Sequence, residues 1–251
     1  MSKRGEQMSI SQRQKQILEL LQTHGFLTVE KLSELTYTSP SSIRRDLAKL
    51  QNLCLVRRTH GGVTVLAENN QPIPLNNRMT QNVKGKRIIA QKAAALLQDG
   101  QTVMLDGSTT AGFLIPYIAR KKNIRLFTNN MLTAINAINH GISTHCIGGD
   151  SVNHSAVLAG EAAYEAAAQL CPDILFFSSR SIDRNGKISD PTQEENYLRS
   201  IMLRNARQRV FLCDSEKFNR QSMYVLTMLD DVDVAVFDGP YPELKTKCKI
   251  L

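Results

Sequence analysis

Two groups of residues have side chains and spacings suited to chemistry rather than to packing. Near the amino terminus, Ser39-Pro40-Ser41-Ser42-Ile43-Arg44-Arg45-Asp46-Leu47 puts small hydroxyls and two arginines within a few helical turns. Small hydroxyls allow close approach to a nucleic-acid groove, and arginine pairs bidentately with guanine or neutralises phosphate. Farther on, Asp106-Gly107-Ser108-Thr109-Thr110, Thr128-Asn129-Asn130, Gly148-Gly149 and Asp214-Ser215-Glu216-Lys217 each follow a short apolar run. Glycine lets backbone approach a ligand, hydroxyls and N–H groups at a helix start hold a phosphate or sugar oxygen, and Lys217 adds a compact positive charge. Each motif alone has a plainer reading, as a solvated helix face or as a cap and turn. The elements around them decide.

The elements around the basic run form an ordered set. Gln12 to His24 places Ile17, Leu18, Leu20 and Leu21 at helical spacing and ends at Gly25, predicting a first helix. Thr28 predicts an N-cap with Glu30 in the first turn and Leu27 stapled to Leu32, starting a second helix that buries Val29, Leu32 and Leu35. Ser39 caps a third helix with Pro40 at its first position, running to about Gln51. With Ile43, Leu47 and Leu50 inward, Ser41, Arg45 and Ala48 face the opposite side, flanked by Arg44 and Lys49.

Leu53 to Arg58, the turn His60-Gly61-Gly62 and Val63 to Leu66 then predict a hairpin, the glycines supplying positive φ. Arg57, Arg58 and His60 sit where such a wing meets the sugar-phosphate backbone. The whole is a winged helix-turn-helix. Charge agrees: residues 1–66 hold ten Lys/Arg against five Asp/Glu, whereas the rest hold 21 against 18, so the excess is concentrated at the front, as polyanion binding requires.

Residues 67–80, with the Asn-, Gln- and Pro-rich stretch Ala67 to Asn77, read as a linker between a domain at 1–66 and a larger one at 81–251. In the latter, helical stretches such as Lys86 to Leu97 alternate with apolar runs at Thr102–Leu105, Ile124–Thr128, Thr144–Ile147, Ile174–Phe177, Val210–Cys213 and Val232–Phe237. That alternation predicts an α/β domain with a mainly parallel sheet, whose ligands bind at the carboxyl ends of the strands, where the polar loops fall. The scattered cysteines and the histidines His140, His145 and His154 lack disulfide-framework or metal spacing. No apolar run of membrane-spanning length or signal peptide is visible, so a cytoplasmic protein is expected.

SPSSIRRDLAKL and LVRRTHGGV resemble the DeoR-type bacterial regulators, whose hallmarks are a hydroxyl-rich helix start before I-R-R-D-L and an R-x-H-G-G wing. The family usually has threonine before that core, where this chain has Ser42. The polar loops of the larger domain stand where the family's sensor domain carries D-x-G-[ST]-T, T-N, G-G and D-S-x-K-F, with Glu195 matching its carboxylate. The resemblance implies a fold similar to ribose-phosphate isomerases, a phosphorylated sugar as effector and no cofactor. It also implies repression of a carbohydrate-metabolism operon.

Candidate contacts to double-stranded operator DNA are Thr28, Ser39, Ser41, Ser42, Arg44, Arg45, Lys49, Arg57, Arg58, His60 and Gly61. Candidate effector contacts are Asp106, Gly107, Ser108, Thr109, Thr110, Thr128, Asn129, Asn130, Gly148, Gly149, Ser178, Arg180, Glu195 and Lys217. Ser178 and Ser181 occupy positions where many members have glycine, and Arg180 binds either an anionic ligand group or Asp183 or Asp190. Asp46 either orients Arg44 or Arg45 or is solvated. A homo-oligomer, dimer or tetramer, is expected. The rival function is a sugar-phosphate isomerase-like enzyme with Glu195 as base and Lys217 as electrostatic stabiliser; a dedicated DNA-binding domain has no use there.

Overall fold

In a computed structural model, residues 11–52, 55–59, 62–65, 73–240, 244 and 246–251 are described. The chain divides into two compact units, residues 1–73 and 74–251.

The first unit begins with α1 (Gln12–His24), whose Ser11 and Gln14 form a reciprocal capping box and whose end is Gly25 at φ 72°. The strand β1 (Phe26–Leu27) leads to α2 (Val29–Thr36), capped by Thr28, and α3 (Pro40–Asn52) follows. The strands β2 (Val56–Thr59) and β3 (Gly62–Val65) pair antiparallel, and β1 joins the free side of β3. Ile17, Leu21, Leu32, Ile43, Leu47 and Leu50 are fully buried in one core, so each helix contributes the face its apolar spacing predicts.

One expectation of this hairpin needs correction and another is not tested. Gly62 lacks the positive φ expected of a turn glycine; it is there because an added Cβ would stand 2.4 Å from the Phe26 ring and 2.7 Å from the Leu27 carbonyl oxygen. His60 and Gly61, with Leu53 and Leu66, lie outside the described residues.

The second unit starts inside the stretch expected to be linker. There α4 (Leu75–Thr80) is helical and buries Leu75, so the segment 67–80 is not all connector; its residues 67–72 lie outside the described set. Next come α5 (Val83–Ala93), β4 (Thr102–Leu105), the short helices α6 (Thr109–Gly112) and α7 (Ile115–Ile118), β5 (Arg125–Thr128) and α8 (Met131–Asn139). They are followed by β6 (Ser143–Cys146), β7 (Asp150–Ser151), β8 (Leu158–Ala159), α9 (Glu161–Ala168) and β9 (Ile174–Phe177). Then follow β10 (Ser181–Ile182), β11 (Lys187–Asp190), α10 (Gln193–Asn205), β12 (Gln208–Cys213), β13 (Tyr224–Met228), β14 (Val234–Phe237) and β15 (Lys249–Ile250).

Seven of these strands form one parallel sheet in the order β15-β14-β12-β9-β4-β5-β6. Strand side chains alternate between faces. Met104, Leu175, Phe177 and Phe211 accordingly share one core with α9 and α10 residues such as Ala163 and Leu198. Val103, Leu105, Phe176 and Leu212 share the other with Ile89 of α5 and Ile115 of α7. Burial on both faces is what lets the inner strands read as continuous apolar runs, whereas the edge strands β6 and β15 are largely exposed. Beside the main sheet, β10, β11 and β13 form a small antiparallel sheet that the sequence pattern did not predict. No helix among the described residues is long and apolar enough to cross a membrane.

Candidate functional site

In the first unit, α3 presents Ser41, Arg44, Arg45, Ala48 and Lys49 to solvent opposite its buried face. Ser39 Oγ accepts from the Ser42 N–H at 3.4 Å and lies 3.2 Å from Ser41 Oγ, and the Arg45 guanidinium donates to Ser42 Oγ at 3.4 Å. A hydroxyl cluster and an arginine thus share the first two turns of an exposed helix. Arg44 lies 3.7 Å from Glu30 of α2, while Thr28 caps α2 by accepting from the Lys31 N–H at 3.1 Å. Arg57 and Arg58 lie in β2. Tyr37, which sequence reasoning passed over, stands in the left-handed region at φ 49° between α2 and α3 and is 98% exposed.

Asp46 corrects the sequence reading. It neither orients Arg44 or Arg45 nor is solvated: it is buried, and it accepts from Arg13 Nε at 2.6 Å and Gln14 Nε2 at 3.0 Å, joining α3 to α1. The hydrogen bond that Arg13 donates to Asp46, then the charge of Asp46, raises the Arg13 pKa.

In the second unit the carboxyl ends of β4, β5, β9 and β12 bring their loops together. Asp106 Oδ1 accepts from the Ser108 N–H at 3.1 Å, and Oδ2 from the Ser178 N–H at 3.2 Å and Arg199 Nε at 2.9 Å. Ser108 caps α6 by accepting from the Ala111 N–H at 3.1 Å, and Asn130 caps α8 while donating to the Gly107 carbonyl at 3.1 Å. Asp106, Ser108 and Asn130 therefore shape the loops. Gly107 does so too: Val157 Cγ1 would lie 2.5 Å from an added Cβ, so the close approach is by protein rather than ligand.

Lys217 is the centre of the arrangement. Its ammonium donates to Ser178 Oγ at 2.8 Å and Thr110 Oγ1 at 3.2 Å and lies 3.4 Å from Asp214 Oδ2. The Ser178 hydroxyl proton goes to the Leu212 carbonyl, leaving oxygen lone pairs toward Lys217. Burial would raise the Asp214 carboxyl, but Lys217 and Lys86 hold it below its ordinary value. A cation ringed by hydroxyls where three strands end suits an anionic oxygen ligand.

Next to it lies a buried ionic cluster. Arg199 Nη2 is 3.5 Å from Glu195 Oε2, its Nη1 is 3.5 Å from Asp190, and Arg78 Nη2 is 3.8 Å from Glu195 Oε1. Burial, then the charge of Asp190, pushes the Glu195 carboxyl up, against the pull of Arg78 and Arg199. Arg199, Arg78 and Lys86 were missed by sequence reasoning; only the i,i+4 spacing of Glu195 and Arg199 offered a signal, and an exposed pair gives the same one.

Other candidates stand aside from Lys217. Thr128 Oγ1 accepts from the Asn130 N–H, and Asn129 Nδ2 donates to the Leu158 carbonyl. Gly149, at φ 129°, packs on the Ala159 carbonyl, whereas Gly148 has open space on its Cβ side. The Arg180 N–H donates to Asp190 Oδ2 at 3.1 Å, and Asp183 accepts from its own turn at Asn185 and Lys187. Ser181 bonds Ser222 at 2.6 Å and is fully buried. A cavity of about 420 Å³ opens beside Thr109 and Asn130, lined also by Leu75, Met79, Phe113 and Leu132.

Residues 13–69 match the model of the DeoR-like helix-turn-helix domain, and residues 81–239 that of the DeoR C terminal sensor domain. The chain is 30% identical to the glycerol-3-phosphate regulon repressor of Haemophilus influenzae, covering 94% of this chain and 92% of that one. It is 27% identical to the HTH-type transcriptional regulator GlpR of Haloferax volcanii, covering 91% and 90%. Over 53% of each chain it superposes on ribose 5-phosphate isomerase A of Methanocaldococcus jannaschii, with 16% identity and a TM-score of 0.40.

Proposed function

We infer, from the fact that this chain belongs to the DeoR family of DNA-binding transcriptional regulators, that it represses a carbohydrate-metabolism operon and leaves its operator when a phosphorylated sugar binds the second unit. The observation that carries the effector reading is Lys217 held by the Ser178 and Thr110 hydroxyls at the strand ends. A phosphate or other sugar oxygen anion satisfies that cation and hydroxyl set through charge-assisted hydrogen bonds. The name of the Haemophilus relative, a glycerol-3-phosphate regulon repressor, supports the same ligand class.

On the DNA side, Ser41 and Ser42 allow close approach while Arg44, Arg45 and Lys49 position the helix on phosphates or read guanine. The protein acts as a dimer or tetramer in the compartment that holds the chromosome. In this reading it works without a cofactor as a sensor rather than an enzyme, which the pairing of Glu195 with Arg78 and Arg199 supports. Effector and operator oppose each other, so the effector must bind the DNA complex less well than the free protein.

Titration of the full chain against its own upstream DNA at several salt concentrations tests the first half. Arg45→Ala should weaken binding and lower the salt slope by about one; unchanged affinity and slope would sink the DNA assignment. A thermal-shift screen of sugar phosphates tests the second half: one or more should stabilise the wild type, and Lys217→Ala should lose the effect. If none stabilises the wild type, the effector class is wrong, and turnover of any of them would favour the isomerase-like enzyme.

A further inference from the structure

Helix α4 is tied to α5 and to the loop site, both near its carboxyl end. It has six residues, too few to persist alone in water, no side-chain cap at Pro74, and only Leu75 buried. Its carboxyl end is fixed by Lys86, whose ammonium donates to the carbonyls of Arg78 and, at 2.7 Å, Gln81. Two further contacts come from the candidate effector residues: Thr109 Oγ1 donates to the Arg78 carbonyl at 3.3 Å, and Glu195 Oε1 faces the Arg78 guanidinium at 3.8 Å. Arg78 Nε is itself buried without a hydrogen bond. Leu75, Met79 and Thr109 meet at the 420 Å³ cavity, so the amino end of α4 has room to shift without overpacking a core. Along the chain, α4 starts two residues after Ile73, where the first unit ends.

We propose that Arg78 is a positioning residue that converts occupancy of the loop site into movement of α4 about the end held by Lys86, and so into altered DNA binding. The proposal rests on the effector reading above. Lys86 clamps one end of the helix whatever the ligand state. An anion held at Lys217 and Thr110 shifts the adjoining Thr109, whose hydroxyl holds the Arg78 carbonyl, and its charge competes with Glu195 for the Arg78 guanidinium. The ligand thereby interacts differently with two positions of α4, which is what shifting a conformational population requires.

Hydrogen–deuterium exchange of the full chain, with and without inorganic phosphate and separately sn-glycerol 3-phosphate, reads residues 106–110 and 75–81 independently. In the wild type at least one probe should protect 106–110 and change exchange at 75–81 several-fold. Arg78→Gln should keep the protection of 106–110, lose the response at 75–81, and leave binding to the upstream DNA insensitive to the probe. A merely structural Arg78 would shift the baseline and keep the response. Without ligand, Lys86→Met and the milder Thr109→Val should each speed exchange at 75–81; no change in either overturns the proposal. Protection of 106–110 with 75–81 unmoved in the wild type overturns the relay while the effector reading stands. No protection at 106–110 by either probe removes both.

Discussion

Asp46 accepts a 2.6 Å hydrogen bond from Arg13, so the carboxylate of the I-R-R-D-L run belongs to the joint between α1 and α3 and leaves the neighbouring arginines to other partners. Asp46→Ala should therefore cost the first unit about 1.5–3 kcal/mol, the range for a hydrogen bond to a charged group, because it also strands the buried Gln14 amide. Urea denaturation should show the loss. DNA affinity per folded molecule should stay within a few-fold of wild type; a loss as large as that of Arg45→Ala would place Asp46 in the interface.

Arg199 holds Asp106, Asp190 and Glu195 together without solvent access. Arg199→Met leaves three buried carboxylates facing one another, and breaking such a pair costs about 3–5 kcal/mol. Arg199→Lys should recover only part, since an ammonium lacks the planar fork that spans several carboxylates. Chemical denaturation of both variants checks this, and wild-type stability in either would mean the carboxylates find water or each other's protons.

Glu195 sets a pH dependence with a definite sign. Burial and Asp190 raise its folded pKa above the unfolded value, so its contribution to stability is fully present below the ordinary carboxylate pKa and lost as pH rises through the raised one. Glu195→Gln imitates the protonated form and should flatten the fall in Tm across that window. Thermal melts over a pH series compare the two, and parallel curves would contradict the assignment. An anionic ligand near Glu195 should likewise bind more tightly as pH falls.

Gly62→Ala places a methyl group against the Phe26 ring and the Leu27 carbonyl. The half-exposed ring can swing aside, but the carbonyl belongs to the strand paired with β3. The substitution should cost about 1–3 kcal/mol, the usual range for overpacking. Adding Phe26→Ala should not restore stability; full rescue in a circular-dichroism melt would show that the ring alone was responsible.

Periodicity and caps made most of the architecture legible. Thr28, Ser39 and Gly25 sit where local chemistry puts them, and the apolar runs ending at Leu105, Thr128, Phe177, Cys213 and Phe237 are strands of one parallel sheet. The hallmark motifs led to the family that the domain models match.

What stayed hidden depends on partners distant in sequence. Asp46 and Arg13 are 33 residues apart, and Arg199 and Asp106 are 93 apart. Lys86 resembles any solvated helix lysine until its burial, then the charge of Lys217, is seen to lower its pKa to about 8. The helix α4 buries one side chain and so leaves no periodic trace, and β10 is two residues long.

Val157 fills the space beside Gly107, while Asp106, Ser108 and Asn130 complete their hydrogen bonds within the protein. The turn is finished before any ligand arrives, so binding loses little conformational entropy there. Under the proposed effector reading, discrimination among sugars then rests on a few exchangeable side chains around Lys217, Ser178 foremost. A descendant protein can change what it senses by replacing those while inheriting the turn intact.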